Sequence, residues 1–435
     1  MYKNKANAAA PSGSTKGEKG EIDLPEATSP SAQAHPGDLA ARILQLVEQH
    51  ETYRLEDCLN MRADENYTDE RVRRLLGSDL AQRNTSPDPT FVYRGTRYMN
   101  EIGDITVELA RRLFRAEYAN VWAPTGHVAN MIVFFAFCRP GDKVLVVGPD
   151  HGGYGGIAGP NLPSDLGLKV LYFPYDVAAM NVDVDAAARL IEEERPALII
   201  FGSTYFLFPQ PVQELAPIAR EYGIPIAYDG AHVLGLIAGG QFQDPLREGA
   251  DVLFGSTMKT LAGPPGGLIV TNREDLHQKM LAATWYRAVT STQWNRIPAL
   301  GIVLADLLAW GDRYAAQVVK NAQALARSLD RRGVGVLFRD RGYTASHMIL
   351  LDVGGFPANV AGRASSLAAK LEAANIIIDD RGRVGVAELT RLGMKEAEME
   401  EIASWMAQVL QGQAAPEEVK PKVRALRGRF RGTSW

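Results

Sequence analysis

The sequence predicts an α/β protein in which a large, mostly parallel sheet domain is followed by a smaller C-terminal α/β domain. Three observations carry this expectation. Between about residues 104 and 272, short apolar runs bounded by Gly, Pro and Asp alternate with segments of helical period. The runs are almost continuously apolar instead of alternating, as in strands covered by helices on both faces. A shorter alternation of the same kind begins after about residue 305.

Taken in chain order, residues 1–36 are rich in Lys, Ala, Gly, Ser and Pro without apolar periodicity and are expected to form a disordered tail. A helix is expected from 36 to about 53. Helical periods recur at 107–118, 128–137 and 213–223. Strands are expected at KVLVVG (143–148), KVLYFP (169–174), ALIIFG (197–202), IPIAYDG (224–230), DVLFGS (251–256) and GGLIVT (266–271). These place the N-terminal lead-in and the large domain at 37–305. A long helical stretch, the strand MILLDV (348–353), a helix at 360–374, the strand NIIID (375–379) and a helix at 395–410 make the small domain, 306–412. Residues 413–435 are polar and basic and are expected to be a loose tail.

Composition narrows the function. The 435 residues carry 47 basic and 51 acidic side chains, a formal net charge of −4, so there is no electrostatic footprint for nucleic acid or an anionic membrane. No apolar run approaches the roughly 20 residues that span a bilayer. Cys58 and Cys138 are the only cysteines and offer neither a disulfide framework nor a metal-ligand spacing. A reducing, cytoplasmic setting and a cofactor other than zinc or iron–sulfur, with no metal, are the expectation.

Four segments carry chemistry. In FGSTMKTLAGPPGGLIV (254–270), Lys259 follows an apolar strand among Ser256, Thr257 and Thr260. A lysine against buried apolar walls has a lowered pKa, and its free amine can form a Schiff base. A lysine at a strand exit is otherwise an ordinary solvated residue. Upstream, IPIAYDG ends on Asp229, followed by His232. A carboxylate at a strand's carboxyl end sits where open α/β sheets bind ligands, and could pair with a pyridinium nitrogen; alone, it equally suits a turn. In APTGHVANM (123–131), Thr125, Gly126 and His127 open a helix, a ready anion site or simply a cap. PDHGGYGG (149–156) puts Tyr154 and His151 on a glycine-rich loop at the same sheet edge.

These segments, with ADENYT (63–68) and RVGVAELTRLGM (383–394), resemble in order and spacing the serine hydroxymethyltransferase group of fold-type I pyridoxal phosphate enzymes, from about residue 55 to 410. The resemblance implies an aspartate aminotransferase-like fold and pyridoxal 5'-phosphate bound covalently through Lys259, with Asp229 as the pyridinium partner. It places His232 near the cofactor's phenolic oxygen, Thr125, Gly126 and His127 at its phosphate with Ser256 close by, Tyr154 on the ring face and Ser203 in contact with the cofactor. Arg383 matches the arginine that clamps the substrate carboxylate, a task suited to a bidentate guanidinium. Asp64 and Tyr98 fall among the substrate-binding positions, and Glu65 is the candidate acid/base, although it could equally be a helix or turn acid. Active sites of this family form at a dimer interface, which implies at least a homodimer.

Departures from the family pattern bear on the reaction. Folate-using members carry a Tyr-Ala-Glu-Gly motif whose glutamate assists the folate-dependent step; here the stretch reads RNTSPDPTFVYRGTRYMN (83–100), with no acid in the matching place. Losing a positioned proton-transfer group costs on the order of 10²–10⁴ in rate, so folate dependence in the usual manner is not expected. STQWNRIPA (291–299) replaces the glycine loop lent by a neighbouring subunit, Met258 replaces a histidine before the lysine, and Tyr154 replaces the stacking histidine. Folate-independent relatives, among them threonine transaldolases and enzymes of specialised metabolism, show comparable erosion, and MNEIGD (99–104) resembles the transaldolase branch. The expected event is Cα–Cβ cleavage or formation, with β-elimination or decarboxylation as the alternative and a non-catalytic binding protein as the alternative of another class. A dinucleotide site at GYGGIA (153–158) is disfavoured because Pro160 and Pro163 leave little room for its helix.

Overall fold

The computed structural model describes residues 35–85, 93–354 and 361–435. The expected disordered tail therefore lies almost wholly outside the described residues, as does part of the 83–100 stretch. The chain divides into two compact units, Met1–Glu51 and Thr52–Trp435. In the first, the helix Pro36–Glu51 carries no buried residue.

The second unit is built on a seven-stranded sheet. Ahead of it in the chain lies β1 (Leu59–Asn60), and the sheet's own first strand is β2 (Tyr118–Asn120). The parallel strands β3 (Lys143–Val146), β4 (Lys169–Tyr172), β7 (Leu198–Phe201), β8 (Ile226–Asp229) and β9 (Val252–Ser256) follow, with the small hairpin of β5 (Tyr175–Asp176) and β6 (Asn181–Val182) after β4. β10 (Gly267–Thr271) runs antiparallel between β9 and β2, giving the order β2-β10-β9-β8-β7-β3-β4. β3 lies between β4 and β7, so the connections leave it in opposite directions, and a crevice opens there at the carboxyl ends of the strands.

The near-continuous apolar runs are explained by burial on both faces. Val144, Val146, Ile200, Ala227 and Phe254 point into one apolar layer, with Ile132 and Val133 of the helix Gly126–Phe137 and Met280 of the helix Glu274–Thr284. Leu145, Ile199, Phe201, Tyr228 and Leu253 point into the other, with Leu300, Leu304 and Leu307 of the helix Arg296–Arg331. Each fully buried side chain of this kind contributes roughly 1.5–3 kcal/mol.

That long helix begins earlier than expected and contains residue 305, so both halves of the expected division share it. Four short strands complete the C-terminal part. β11 (Met348–Leu350) pairs antiparallel with β13 (Arg383–Gly385), and β12 (Ile376–Ile377) pairs in parallel with β1. β1 thus belongs to the C-terminal layer, and this pairing carries residues 61–67 towards the crevice, where Asn66 reaches the Lys259 carbonyl.

The loose tail expected at 413–435 is corrected. Pro416–Arg429 is a helix, with Pro416 at its first position, where a missing N–H costs nothing, and Val419, Val423 and Leu426 buried at i, i+4 and i+7. Its basic outer face hid that stripe from the sequence. Beyond it, Trp435 Nε1 donates to the Thr390 carbonyl (3.0 Å) and packs on Trp310. No helix among the described residues is long and apolar enough to cross a membrane.

In the short helix Ala387–Arg391, Glu388 is buried and its carboxylate accepts from Asn60 Nδ2 (2.6 Å). Burial pushes its pKa up to about 7 against Asn60 and Arg54, which favour the charged form. A carboxyl whose folded pKa is raised favours folding most below its unfolded value of 4.5 and loses that advantage as pH rises to 7. Glu388→Gln, which keeps the shape and an acceptor for Asn60, is therefore expected to be more stable than wild type at pH 8, by at most roughly 3 kcal/mol, and equal to it near pH 4.5. Urea unfolding at the two pH values checks this.

Candidate active site

The crevice at the carboxyl ends of β7, β8 and β9 is a cavity of about 170 Å³ lined by Gly126, His127, Asn130, Tyr154, Ser203, Thr204, Asp229, Ala231, His232, Ser256 and Lys259. A larger groove of about 570 Å³ lies at the amino-terminal ends of β8 and β9, where Arg273 is already paired with Asp251. It gathers no comparable set of reactive groups.

Lys259 sits three residues past β9 on a pinned turn. Asn66 Nδ2 donates to its carbonyl (2.8 Å) and to the Tyr314 hydroxyl (2.9 Å), while Thr260 Oγ1 donates to the His232 carbonyl (2.8 Å). Ala262, closing the turn with its N–H on the Lys259 carbonyl, holds φ +59°, a conformation that alanine rarely adopts. The Lys259 amine lies 3.0 Å from His232 Nε2. Burial lowers its pKa to about 8; the Asp229 carboxylate opposes that shift and the Arg383 guanidinium adds to it. At neutral pH an appreciable share of the amine is thus unprotonated, as a nucleophile requires.

Asp229 ends β8 with its side chain 8% exposed and accepts from the Ala231 N–H (3.0 Å). Burial raises its pKa, against that hydrogen bond and the Lys259 charge. A buried carboxylate so placed favours a cationic partner in the cavity. His232 is buried, burial holds its pKa well down, and its Nδ1 has no partner among the described residues.

Thr125 caps the helix Gly126–Phe137 through its hydroxyl, which accepts from the Val128 N–H (3.1 Å). Gly126 is needed for close approach: a Cβ there would stand 2.7 Å from the Ser256 Cβ. The first amides of this helix therefore open on the cavity next to Ser256, a cradle for an anion. His127 meets the Tyr154 ring edge-on, with centroids 6.1 Å apart. Ser203 donates to the Gly152 carbonyl (3.2 Å) and accepts from the Tyr205 N–H (3.0 Å), tying β7 to the glycine-rich loop.

Arg383 starts β13 nearly buried. Its Nε is paired with Asp379 and its Nη1 donates to the Thr204 carbonyl (2.8 Å), fixing the guanidinium plane beside the cavity. Asp64 is held in a bidentate pair by Arg62 (3.0 and 2.8 Å), and Arg62, Arg383 and Lys259 together outweigh its burial and lower its pKa.

Two expected residues stand apart. Glu65 is committed to Arg54, to Arg62 (3.0 Å) and to Asn60 (3.0 Å), and like Asp64, Thr125 and Arg383 it is not part of the cavity wall. Tyr98, in the first turn of the helix Arg97–Phe114, is 65% exposed and lies under the Arg97 guanidinium. Residues that sequence reasoning missed are Asn66, which pins the Lys259 turn, and His347, which stacks on His232. Asn66 lay within the ADENYT motif, whereas nothing in the pattern around His347 marks it out.

The cavity fits pyridoxal phosphate on three counts: an amine partly unprotonated at neutral pH for its aldehyde, a buried carboxylate suited to its ring nitrogen, and the free amides that open the helix Gly126–Phe137, held against Ser256 at the cavity wall by a glycine that leaves no room for a Cβ. Among the described residues no group of three or more His, Cys, Asp or Glu could hold a metal ion.

The charges around Lys259 give a direct expectation. In the protein freed of cofactor, acetylation of Lys259 by trace acetic anhydride should rise with a midpoint near pH 8. Asp229→Asn removes the charge that favours the ammonium and should lower the midpoint, whereas Arg383→Gln removes one that opposes it and should raise it. Mass spectrometry of the Lys259 peptide reads all three.

The serine hydroxymethyltransferase family model matches residues 38–406. The serine hydroxymethyltransferases of Methanothermobacter marburgensis and Methanocaldococcus jannaschii are each 42% identical to the chain, across 88% and 87% of it and 93% and 91% of their own lengths. Among solved structures, L-threonine transaldolase from Pseudomonas fluorescens in its internal aldimine state matches with a TM-score of 0.83 at 25% identity, covering 91% of this chain and 92% of that one. The family resemblance read from the motifs thus extends over most of the sequence and the fold, and the chain belongs to the serine hydroxymethyltransferase family, as a fold-type I pyridoxal phosphate-dependent enzyme of the transferase or lyase kind.

Proposed function

We propose that the protein makes or breaks the Cα–Cβ bond of a small amino acid by aldol or transaldol exchange, without folate in the usual manner. The observation that carries this reading is the pairing of the low-pKa Lys259 amine and the buried Asp229 carboxylate in the wall of one cavity, with the Arg383 guanidinium fixed next to it on the carbonyl of the lining residue Thr204.

Pyridoxal phosphate, when bound, supplies an aldehyde for amine exchange and an electron-poor ring that stabilises negative charge at Cα. The protein's residues do the rest. Lys259 provides the amine that holds the cofactor and gives way to the substrate amine. Asp229 keeps a proton on the ring nitrogen. Thr125, Gly126 and His127, with Ser256, would hold the phosphate at the helix N-terminus, Tyr154 would cover a ring face, and Ser203 fixes the loop that carries Tyr154. His232 would lie near the phenolic oxygen. Arg383 would receive the substrate carboxylate and so orient the bonds at Cα. Asp64, ionised beside Arg383 and Lys259, lies on the substrate side. Glu65 serves here as the anchor of Arg54 and Arg62 instead of as an acid/base, since its oxygens are already engaged.

Hydroxymethyl transfer from serine is the second reading, favoured by the names of the curated relatives. Against it stands the lack of an acid at the motif's matching place in 83–100, where Asp88 does not align. A homodimer is part of the proposal, supported by the helix Pro36–Glu51, whose Ile43, Leu44 and Val47 are 62%, 67% and 51% exposed.

L-threonine with an aromatic aldehyde, and L-serine with tetrahydrofolate, should be compared on one preparation whose mass is read by light scattering. The expected result is a dimer that exchanges threonine for the aldehyde adduct at least 10²-fold faster than it turns over serine with folate. Comparable folate-dependent turnover would overturn the proposal, and release of a keto acid or carbon dioxide would move it to elimination or decarboxylation.

A further inference from the structure

Behind His232 lies a second, wholly buried histidine, His347, one residue before β11. The two rings stack, with centroids 5.7 Å apart and planes inclined by 22°. His347 Nε2 is 2.9 Å from the carbonyl of Ala63. A carbonyl can only accept, so Nε2 carries the proton. Nδ1 is then an acceptor, and the Ser346 hydroxyl at 3.1 Å donates to it. Burial, reinforced by Lys259 and Arg383 and opposed by the Ala63 bond and Asp64, lowers the pKa of this imidazole to about 4. His347 is therefore neutral, with its tautomer fixed by its neighbours.

Three segments of the site meet on this ring. Ala63 immediately precedes Asp64 and Glu65. β11 pairs with β13, Leu350 opposite Arg383, and the His347 carbonyl accepts from the Val386 N–H (3.0 Å). The packing leaves no slack, since a Cβ on Gly385 would stand 2.6 Å from the Ala63 Cα. The third segment is His232, whose far edge meets the Lys259 amine at 3.0 Å. His232 Nδ1 has no hydrogen-bond partner among the described residues, so beyond the Lys259 contact at its far edge and the nearby Ala63 carbonyl, the ring is held by packing, above all by the stacked His347. A ring free to turn would carry Nε2 away from Lys259, and misplacement by about 1 Å can cost on the order of 10² in rate.

We propose that His347 is a positioning residue: held by its Nε2–H on the Ala63 carbonyl, it fixes the plane of His232, aims Nε2 at Lys259, and keeps that contact in register with the strand that bears Arg383. The proposal rests on Lys259 being the cofactor lysine.

Two measurements on the full chain test it. Nitrogen NMR of histidine-labelled protein, with His347 assigned by substitution, should show a neutral Nε2–H ring throughout pH 5.5–8.5; an imidazolium or an Nδ1–H tautomer would overturn the proposal. In the cofactor-free protein, His232 Nε2 accepting from the ammonium favours the charged form of Lys259. His347→Phe keeps a ring but loses the Ala63 bond, and should lower the acetylation midpoint of Lys259 by about one pH unit. His347→Gln, which keeps an N–H for Ala63, should return part of that shift. A midpoint unchanged in a folded His347→Phe, or moved equally in both variants, would overturn the proposal, and if neither variant folds the NMR result decides it. Failure of Lys259 to hold cofactor in the wild type would remove the reading beneath it, an outcome distinct from either result.

Discussion

An ammonium enclosed by protein loses most of its hydration, and at Lys259 that loss is only partly offset by the Asp229 carboxylate. The rest of the site follows from holding this amine where water does not stabilise its charge. β8 and β9 run in parallel and in register, so their carboxyl ends bring Asp229 and the Lys259 turn to the same edge. Asn66 and Thr260 fasten the turn, and Ala262 is held in a left-handed conformation to close it. The chemistry of the cofactor needs both groups, the amine free to attack and the acid buried enough to stay beside a cation.

Substrate recognition is supplied by a different layer, and the two are joined by long-range pairing. Arg383 belongs to a two-stranded ribbon, and its guanidinium is aimed by Asp379 and by a carbonyl from the loop after β7. The loop bearing Asp64 is drawn in by β1, which finds its partner in β12. A displacement of the C-terminal layer would therefore move the carboxylate clamp relative to the amine, while Trp435 and the final helix pack that layer from outside.

Much of this was legible in the sequence, for physical reasons that differ by element. The sheet strands announce themselves because burial on both faces makes them continuous apolar runs, and Lys259, Asp229, Thr125 and Arg383 stand in motifs whose order is specific. Helix starts were less legible: the inward face of Arg97–Phe114 begins with Met99, Gly103 and Thr106, a stripe interrupted by glycine and threonine, so its apolar period shows only from 107. The final helix was hidden because only three or four of its residues face inward and Pro421 interrupts the pattern. The pairing of β1 with β12 and the stacking of His347 on His232 are contacts between distant segments, which local periodicity does not encode. Glu65 and Tyr98 show the converse. Their motifs placed them near the substrate, yet in the folded chain one is absorbed by two guanidiniums and the other faces outward.

The account turns on one bond, that between Lys259 and the cofactor. Borohydride reduction of the purified, yellow protein followed by peptide mass mapping tests it directly. The expected result is a single phosphopyridoxyl group on Lys259, lost in Lys259→Ala together with the colour. Label on another lysine, or a colourless protein that takes up no pyridoxal phosphate, would contradict the account.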